Sequence, residues 1–219
     1  GGFLSEAVSL AGLFISRGPV VQVKNTDGKI RKKFDFNPKI VWEGPLGLLV
    51  SRYSASASEI VAGALQNHKR ALIVGDKATH GKGTVQSMIE MNAPYLHALK
   101  SNKRSAAKIT IQKYYLPSGT STQNVGVTTD VAMPSINEFL PIGEADLPHA
   151  MEWDEIPAVN YRRPAEEFRI ASEDAKRLLD VSLKRQKEEE EFAHLQKNVD
   201  WSKGKREQKK FSLNLGKRL

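Results

Sequence analysis

The feature that most constrains this chain is a strand-to-helix junction near its middle. Pro45 to Val50 is a short continuous apolar run, and the small-residue stretch Ser54-Ala55-Ser56-Ala57-Ser58-Glu59 follows it. Beyond that stretch Ile60, Val61, Ala64 and Leu65 recur at helical spacing, and after Lys69-Arg70 a second apolar run occupies Ala71 to Val74. Runs of this length predict buried strands, and strands alternating with helices predict an α/β layer. The flanking segments agree. Phe3 to Ile15 carries apolar residues at helical spacing and is stopped by Gly18-Pro19. Pro19 to Lys24 and Lys29 to Phe36 alternate around the turn signal Thr26-Asp27-Gly28, which predicts a β-hairpin. Thr84 to Met91 and Ala107 to Tyr115 predict two further strands.

From Asn137 to Asn160 no period is evident, and the segment reads as a linker. Pro164 suits the first turn of a helix in which Phe168, Ala171, Ala175, Leu178 and Leu179 repeat, with Glu188 to Glu191 as a charged surface run. The predicted organisation is a core over residues 1–140, a linker over 141–163 and the start of a helical C-terminal domain over 164–219. A hydrophobic fraction of 40% in 219 residues is enough for a packed core. With no Cys, disulfide scaffolds, thiolate nucleophiles and Cys-based zinc or iron–sulfur sites are excluded, so chemistry has to come from Ser, Lys, His or carboxylates. The longest apolar stretch, Ala7 to Ile15, is too short to span a bilayer. The start at Gly1-Gly2-Phe3, with no Met or leader, reads as an excerpt of a longer precursor.

Of the formal net charge of +8, residues 161–219 carry +5, concentrated in Lys203, Lys205, Arg206, Lys209, Lys210, Lys217 and Arg218. A nucleic-acid site needs such a cluster interleaved with stacking aromatics, and only Trp201 and Phe211 are near. A solvated, partly disordered basic segment is therefore expected, and no nucleic-acid partner.

Two segments carry residue types suited to chemistry. In Ser54 to Glu59, three hydroxyls at a helix start are explained either as capping groups or as a nucleophile whose oxyanion would meet the free N–H groups of the helix. Spacing alone leaves Ser54, Ser56 and Ser58 open. In Gly75 to Thr84, five residues separate Gly75 from Gly81 and Gly83 stands where a phosphate-loop hydroxyl is needed, so nucleotide binding is not supported. Lys82, between Gly81 and Gly83, suits a general base if burial lowers its pKa from ~10.4 by roughly 3 units. If a strand begins at Gly83, Gln86 shares a face with Lys82 and its amide can orient the amine.

These residues also carry a family resemblance. Tyr53 to Ile60, Arg70 to Gly75, Gly81-Lys-Gly-Thr-Val-Gln86 and Gly126 to Pro134, with the leading Gly1 to Ile15, resemble in order the carboxy-terminal processing peptidases, specifically the tail-specific protease branch. The resemblance implies a ClpP/crotonase-like core of mixed β-sheet with helices, and a cofactor-free Ser/Lys dyad endopeptidase that recognises C-terminal tails. It places the nucleophile on Ser56, with Ser58 second, the base on Lys82 and the positioning amide on Gln86. Oxyanion donors fall on the Ala57 N–H and on Gly2 or Gly1. It implies protein substrates with apolar C-terminal ends, room for an adaptor protein, peripheral membrane contact, work in the bacterial cell envelope, and a PDZ domain upstream. The excerpt alone is expected to be weakly active or inactive.

Two departures stand out. Gly75-Asp-Lys-Ala-Thr-His80 is one residue longer than the family's loop, and Thr129 replaces a frequent Pro. His80 stands in place of an aromatic and raises a Ser-His alternative, for which the sequence offers no evident acidic partner. A noncatalytic peptide- or nucleic-acid-binding module is the rival reading from another class.

Overall fold

The computed structural model describes residues 2–91, 105–161, 169–210, 212–214 and 216. Gly1, Pro164, Phe168, Phe211, Lys217 and Arg218, all named above, lie outside the described residues.

Helix α1 (Leu4–Gly12) leads into the hairpin β1 (Gly18–Asn25) and β2 (Ile30–Asp35), joined at the turn that Asp27 and Gly28 signal. Strand β3 (Gly47–Val50), helix α2 (Ala57–Asn67) and strand β4 (Leu72–Gly75) follow. Then come β5 (Thr84–Glu90), β6 (Ala106–Tyr115) and β7 (Val131–Ala132). The α/β architecture divides into two sheets. One has four antiparallel strands in the order β2-β1-β6-β5, and the other has three parallel strands in the order β3-β4-β7.

The core lies where α1 and α2 pack on each other and on the sheets. Ala7, Ala11 and Ile15 meet Val20, Val21 and Val23 of β1, Ile60, Ala64 and Leu65 of α2, and Ile73 of β4. Helix α2 touches both β1 and β4, and so ties the antiparallel sheet to the parallel one. One expectation is corrected here: β3 is an edge strand rather than a buried one, and Leu49 is 82% exposed. An apolar run carries no information about which of its faces the fold will cover.

The aperiodic stretch after β7 runs along the core. Trp153 Nε1 donates to the Ser121 carbonyl at 2.9 Å, Tyr115 Oη donates to Asp154 at 2.9 Å, and Ile156 N–H donates to the Gly119 carbonyl at 2.9 Å. Helices α3 (Ser172–Glu188) and α4 (Glu190–Glu207) form the C-terminal part. Gln186 Nε2 of α3 donates to the Ala132 carbonyl of β7 at 3.0 Å. α4 packs on the 3-10 turn Ile136–Phe139, over whose Phe139 ring the Lys203 ammonium lies at 5.5 Å. Of the basic cluster, Lys203, Lys205 and Arg206 lie in α4, and Lys209 and Lys210 follow its end. Among the described residues, no helix is long and apolar enough to cross a membrane.

Candidate active site

Helix α2 begins beside the end of β4. Gly75, at φ 142°, lets the ends of β3 and β4 approach closely: a Cβ there would lie 1.8 Å from the Val50 carbonyl oxygen. The chain leaving β3 then turns through Ser51 to Ser56, and Ser56 takes up φ 58° and ψ −112° immediately before the first helical residue, Ala57. A non-glycine residue at this φ is strained, and such strain persists only where surrounding contacts impose it. Ala57 occupies the first helical position, where the backbone N–H has no acceptor within the helix and the helix dipole is positive.

The three serines separate in space. Ser56 shares a cavity of about 270 Å³ with Gly2, Ala57, Lys82, Gln86, Lys108 and Tyr114. Ser54 and Ser58 line a neighbouring cleft of about 350 Å³ between α1, β3 and α2, which Lys82 does not line. Ser58, the second-choice nucleophile, therefore does not share the cavity that Lys82 lines. Gly2 borders both spaces and stands next to Ala57, since a Cβ on Gly2 would lie 3.5 Å from the Ala57 Cβ.

Lys82 Nζ donates to Gln86 Oε1 at 2.7 Å. The expected pairing forms, but simple strand alternation does not account for it. β5 starts at Thr84, and its register with β6 shifts between Val85 and Gln86. Among the described residues no hydrogen bond joins Lys82 to the Ser56 hydroxyl; what the two share is the cavity. Burial lowers the pKa of the amine from the ordinary lysine range, the charge of Lys108 adds to that, and Glu144 and Glu59 oppose it.

Glu59 was named only as the end of the serine run, yet it organises the site. Fully buried, its carboxylate accepts from the Ser56 N–H at 2.7 Å and the Lys82 N–H at 3.0 Å, and also from Gly81 N–H and Thr79 Oγ1, both at 2.7 Å. Burial raises its pKa, against the pull of these four bonds. The Ser-x-x-Glu spacing of a capping box was the signal available in the sequence. Tyr114 and Thr122 also reach the Lys82 backbone, and no local signal announced them.

His80 is corrected on one point and left aside on another. It has an acidic neighbour after all, Glu144, whose Oε2 lies 3.7 Å from Nδ1. Burial nevertheless lowers its pKa, and His80 does not line the cavity that holds Ser56. Among the described residues no group of three or more His, Asp or Glu is arranged to hold a metal ion.

Comparison with known proteins gives two family matches: peptidase family S41 over residues 1–133, and the C-terminal domain of tail specific protease over residues 138–219. The chain is 37% identical over 214 residues to the tail-specific protease of Haemophilus influenzae, covering 98% of this chain and 30% of that protein. It is 37% identical over 134 residues to the carboxy-terminal-processing protease of Bartonella bacilliformis, covering 61% of this chain and 28% of that protein. A solved photosystem II D1 C-terminal processing protease is similar at 33% identity and a TM-score of 0.49, over 61% of this chain and 32% of the other. The chain therefore spans about a third of the length of the curated relatives it matches. With its first 133 residues matched by one family, this chain belongs to peptidase family S41.

Proposed function

We propose that this chain carries the catalytic core of a serine endopeptidase that uses a Ser56/Lys82 dyad, acting on protein substrates recognised through their C-terminal tails. The observation that carries the reading is that Ser56 alone among the three serines shares a cavity with Lys82, whose amine Gln86 holds at 2.7 Å. The names of the relatives, a tail-specific protease and a carboxy-terminal-processing protease, support the substrate class. The same reading gives substrates with apolar C-terminal ends, room for an adaptor protein, and a place in the bacterial cell envelope, periplasmic or at the membrane surface.

The chemistry needs no metal. Neutral Lys82 takes the Ser56 proton as Oγ adds to the scissile carbonyl. The oxyanion forms beside the N–H groups of Ala57 and Gly2. The C–N bond then breaks, Lys82 returns the proton to the departing amine, and water hydrolyses the acyl-enzyme with Lys82 again as base. Gln86 keeps the amine in one orientation, and Glu59 fixes the backbone of both partners.

The test is hydrolysis of an unfolded protein with an apolar C-terminus by the full-length protein and by its Ser56→Ala and Lys82→Ala variants. Each substitution is expected to lower kcat by roughly 10³-fold or more. Wild-type kcat/KM is expected to lose activity as the pH falls, with its inflection below the ordinary lysine range, because only the deprotonated amine acts. Equal turnover in all three proteins sinks the dyad.

A further inference from the structure

Gly81, at φ 95°, and Gly83 flank Lys82, so bonds from other elements set the path of this loop. Gln86 takes the amine, Glu59 takes the Gly81 and Lys82 N–H groups, and Gly83 N–H donates to Gln123 Oε1 at 2.9 Å. The Lys82 carbonyl is the remaining point at which the base is held.

Tyr114, at the end of β6, has no exposed surface, and its hydroxyl donates to the Lys82 backbone carbonyl. The same hydroxyl lies 3.4 Å from the Ser56 carbonyl, which already accepts the Ile60 N–H at 3.0 Å within α2. A phenol has one proton, so Lys82 receives the bond and the Ser56 carbonyl lies against the same oxygen. Thr122 Oγ1 backs the arrangement, 2.8 Å from the Lys82 carbonyl and 3.0 Å from the Tyr114 oxygen. Glu59, on the other side, takes the N–H groups of the same two residues. Donors of Ser56 and Lys82 thus converge on one buried acceptor, and their carbonyls on one buried hydroxyl.

We infer that Tyr114 is a positioning residue for the proposed dyad, its hydroxyl fixing the Lys82 backbone against that of Ser56 so that amine and nucleophile stay in one geometry. This rests on the dyad reading above. Burial and the charges of Glu59 and Glu144 keep the phenol protonated well beyond its usual range, so it remains a donor throughout the pH range in which Lys82 titrates. The groups facing Lys82 are Glu59 from α2, Glu144 from the 3-10 turn Glu144–Asp146, Lys108 and Tyr114 from β6, and His80 from its own loop.

Tyr114→Phe keeps the packed ring and removes the bond. In the full-length protein, with an unfolded protein as substrate, kcat is expected to fall about 10- to 100-fold with KM within about twofold. The acidic limb of kcat/KM moves to higher pH, because a loosened loop lets water reach the amine and restores part of its basicity. Thr122→Val moves both readings the same way by less, and Thr122→Ser, which keeps the hydroxyl, stays near wild type. Thr122→Val against Thr122→Ser carries the test if Tyr114→Phe does not fold. A wild-type kcat and an unmoved limb in Tyr114→Phe overturn the inference, as does a loss of rate matched by lost folded protein with the limb unmoved. If Ser56→Ala is inactive while Tyr114→Phe is normal, only this inference fails; if Ser56→Ala retains turnover, the dyad reading itself fails.

Discussion

Ser56 holds a conformation that its side chain does not favour. At φ 58° and ψ −112° a Cβ is crowded, at a cost on the order of 1–3 kcal/mol, and glycine escapes it. The strain is maintained by contacts that lie elsewhere: the Glu59 carboxylate on its N–H at 2.7 Å, and the start of α2 behind it. Ser56→Gly is therefore expected to be more stable than Ser56→Ala by about 1 kcal/mol, although both lack the proposed nucleophile. Chemical denaturation measures this, and an alanine variant as stable as the glycine one would remove strain from the account. Local spacing put forward Lys82 and a run of three serines, and the resemblance pointed to Ser56 among them. Neither assigned a role to Glu59, whose spacing was legible, or to Tyr114 or Thr122, whose positions say nothing until two elements meet.

Element boundaries followed closely from period and punctuation, since helix α1, the β1–β2 hairpin and strands β5 and β6 form where alternation and turn residues placed them. What period could not give was the side each element presents. β3 has the composition of a buried strand and lies at a sheet edge. Its partner β4 runs so close at Gly75 that only hydrogen fits against the Val50 carbonyl. Gly75→Ala must push the ends of β3 and β4 apart, next to the turn that presents Ser56. The expected loss is about 3 kcal/mol of stability, read as a lowered thermal midpoint, with a fall in kcat. A variant with the wild-type midpoint would mean that the two strands yield without cost.

At the scale of the whole molecule, the C-terminal helices meet the rest of the protein where α3 packs on β7 and α4 on the turn Ile136–Phe139, and they bury little of their own surface. In α4 only Val199 is buried, at 4% exposure, with Phe192 and Leu195 half-buried on the same stripe. In α3 Gln186 reaches the β7 backbone. Val199→Asp would bury an unpaired carboxylate, at a cost of about 3 kcal/mol or more that undocking relieves. Thermal unfolding is then expected to split, with the helices melting before the core; one cooperative transition at the wild-type midpoint would refute this. Such docking depends on which faces the core leaves available, which the helical period of residues 171–199 cannot encode.

Taken alone, the sequence determined the order of strands and helices, the hairpin, and the two segments that carry the candidate serines and Lys82, because propensity, turn chemistry and side-chain period act over a few residues. Only the tertiary structure decided which of three serines shares a cavity with Lys82, that His80 has Glu144 beside it, and that Tyr114 lies against both Ser56, 58 residues away in the chain, and Lys82, 32 residues away. Those outcomes depend on how the antiparallel sheet closes over α2, where contacts distant in sequence compete for the same small volume.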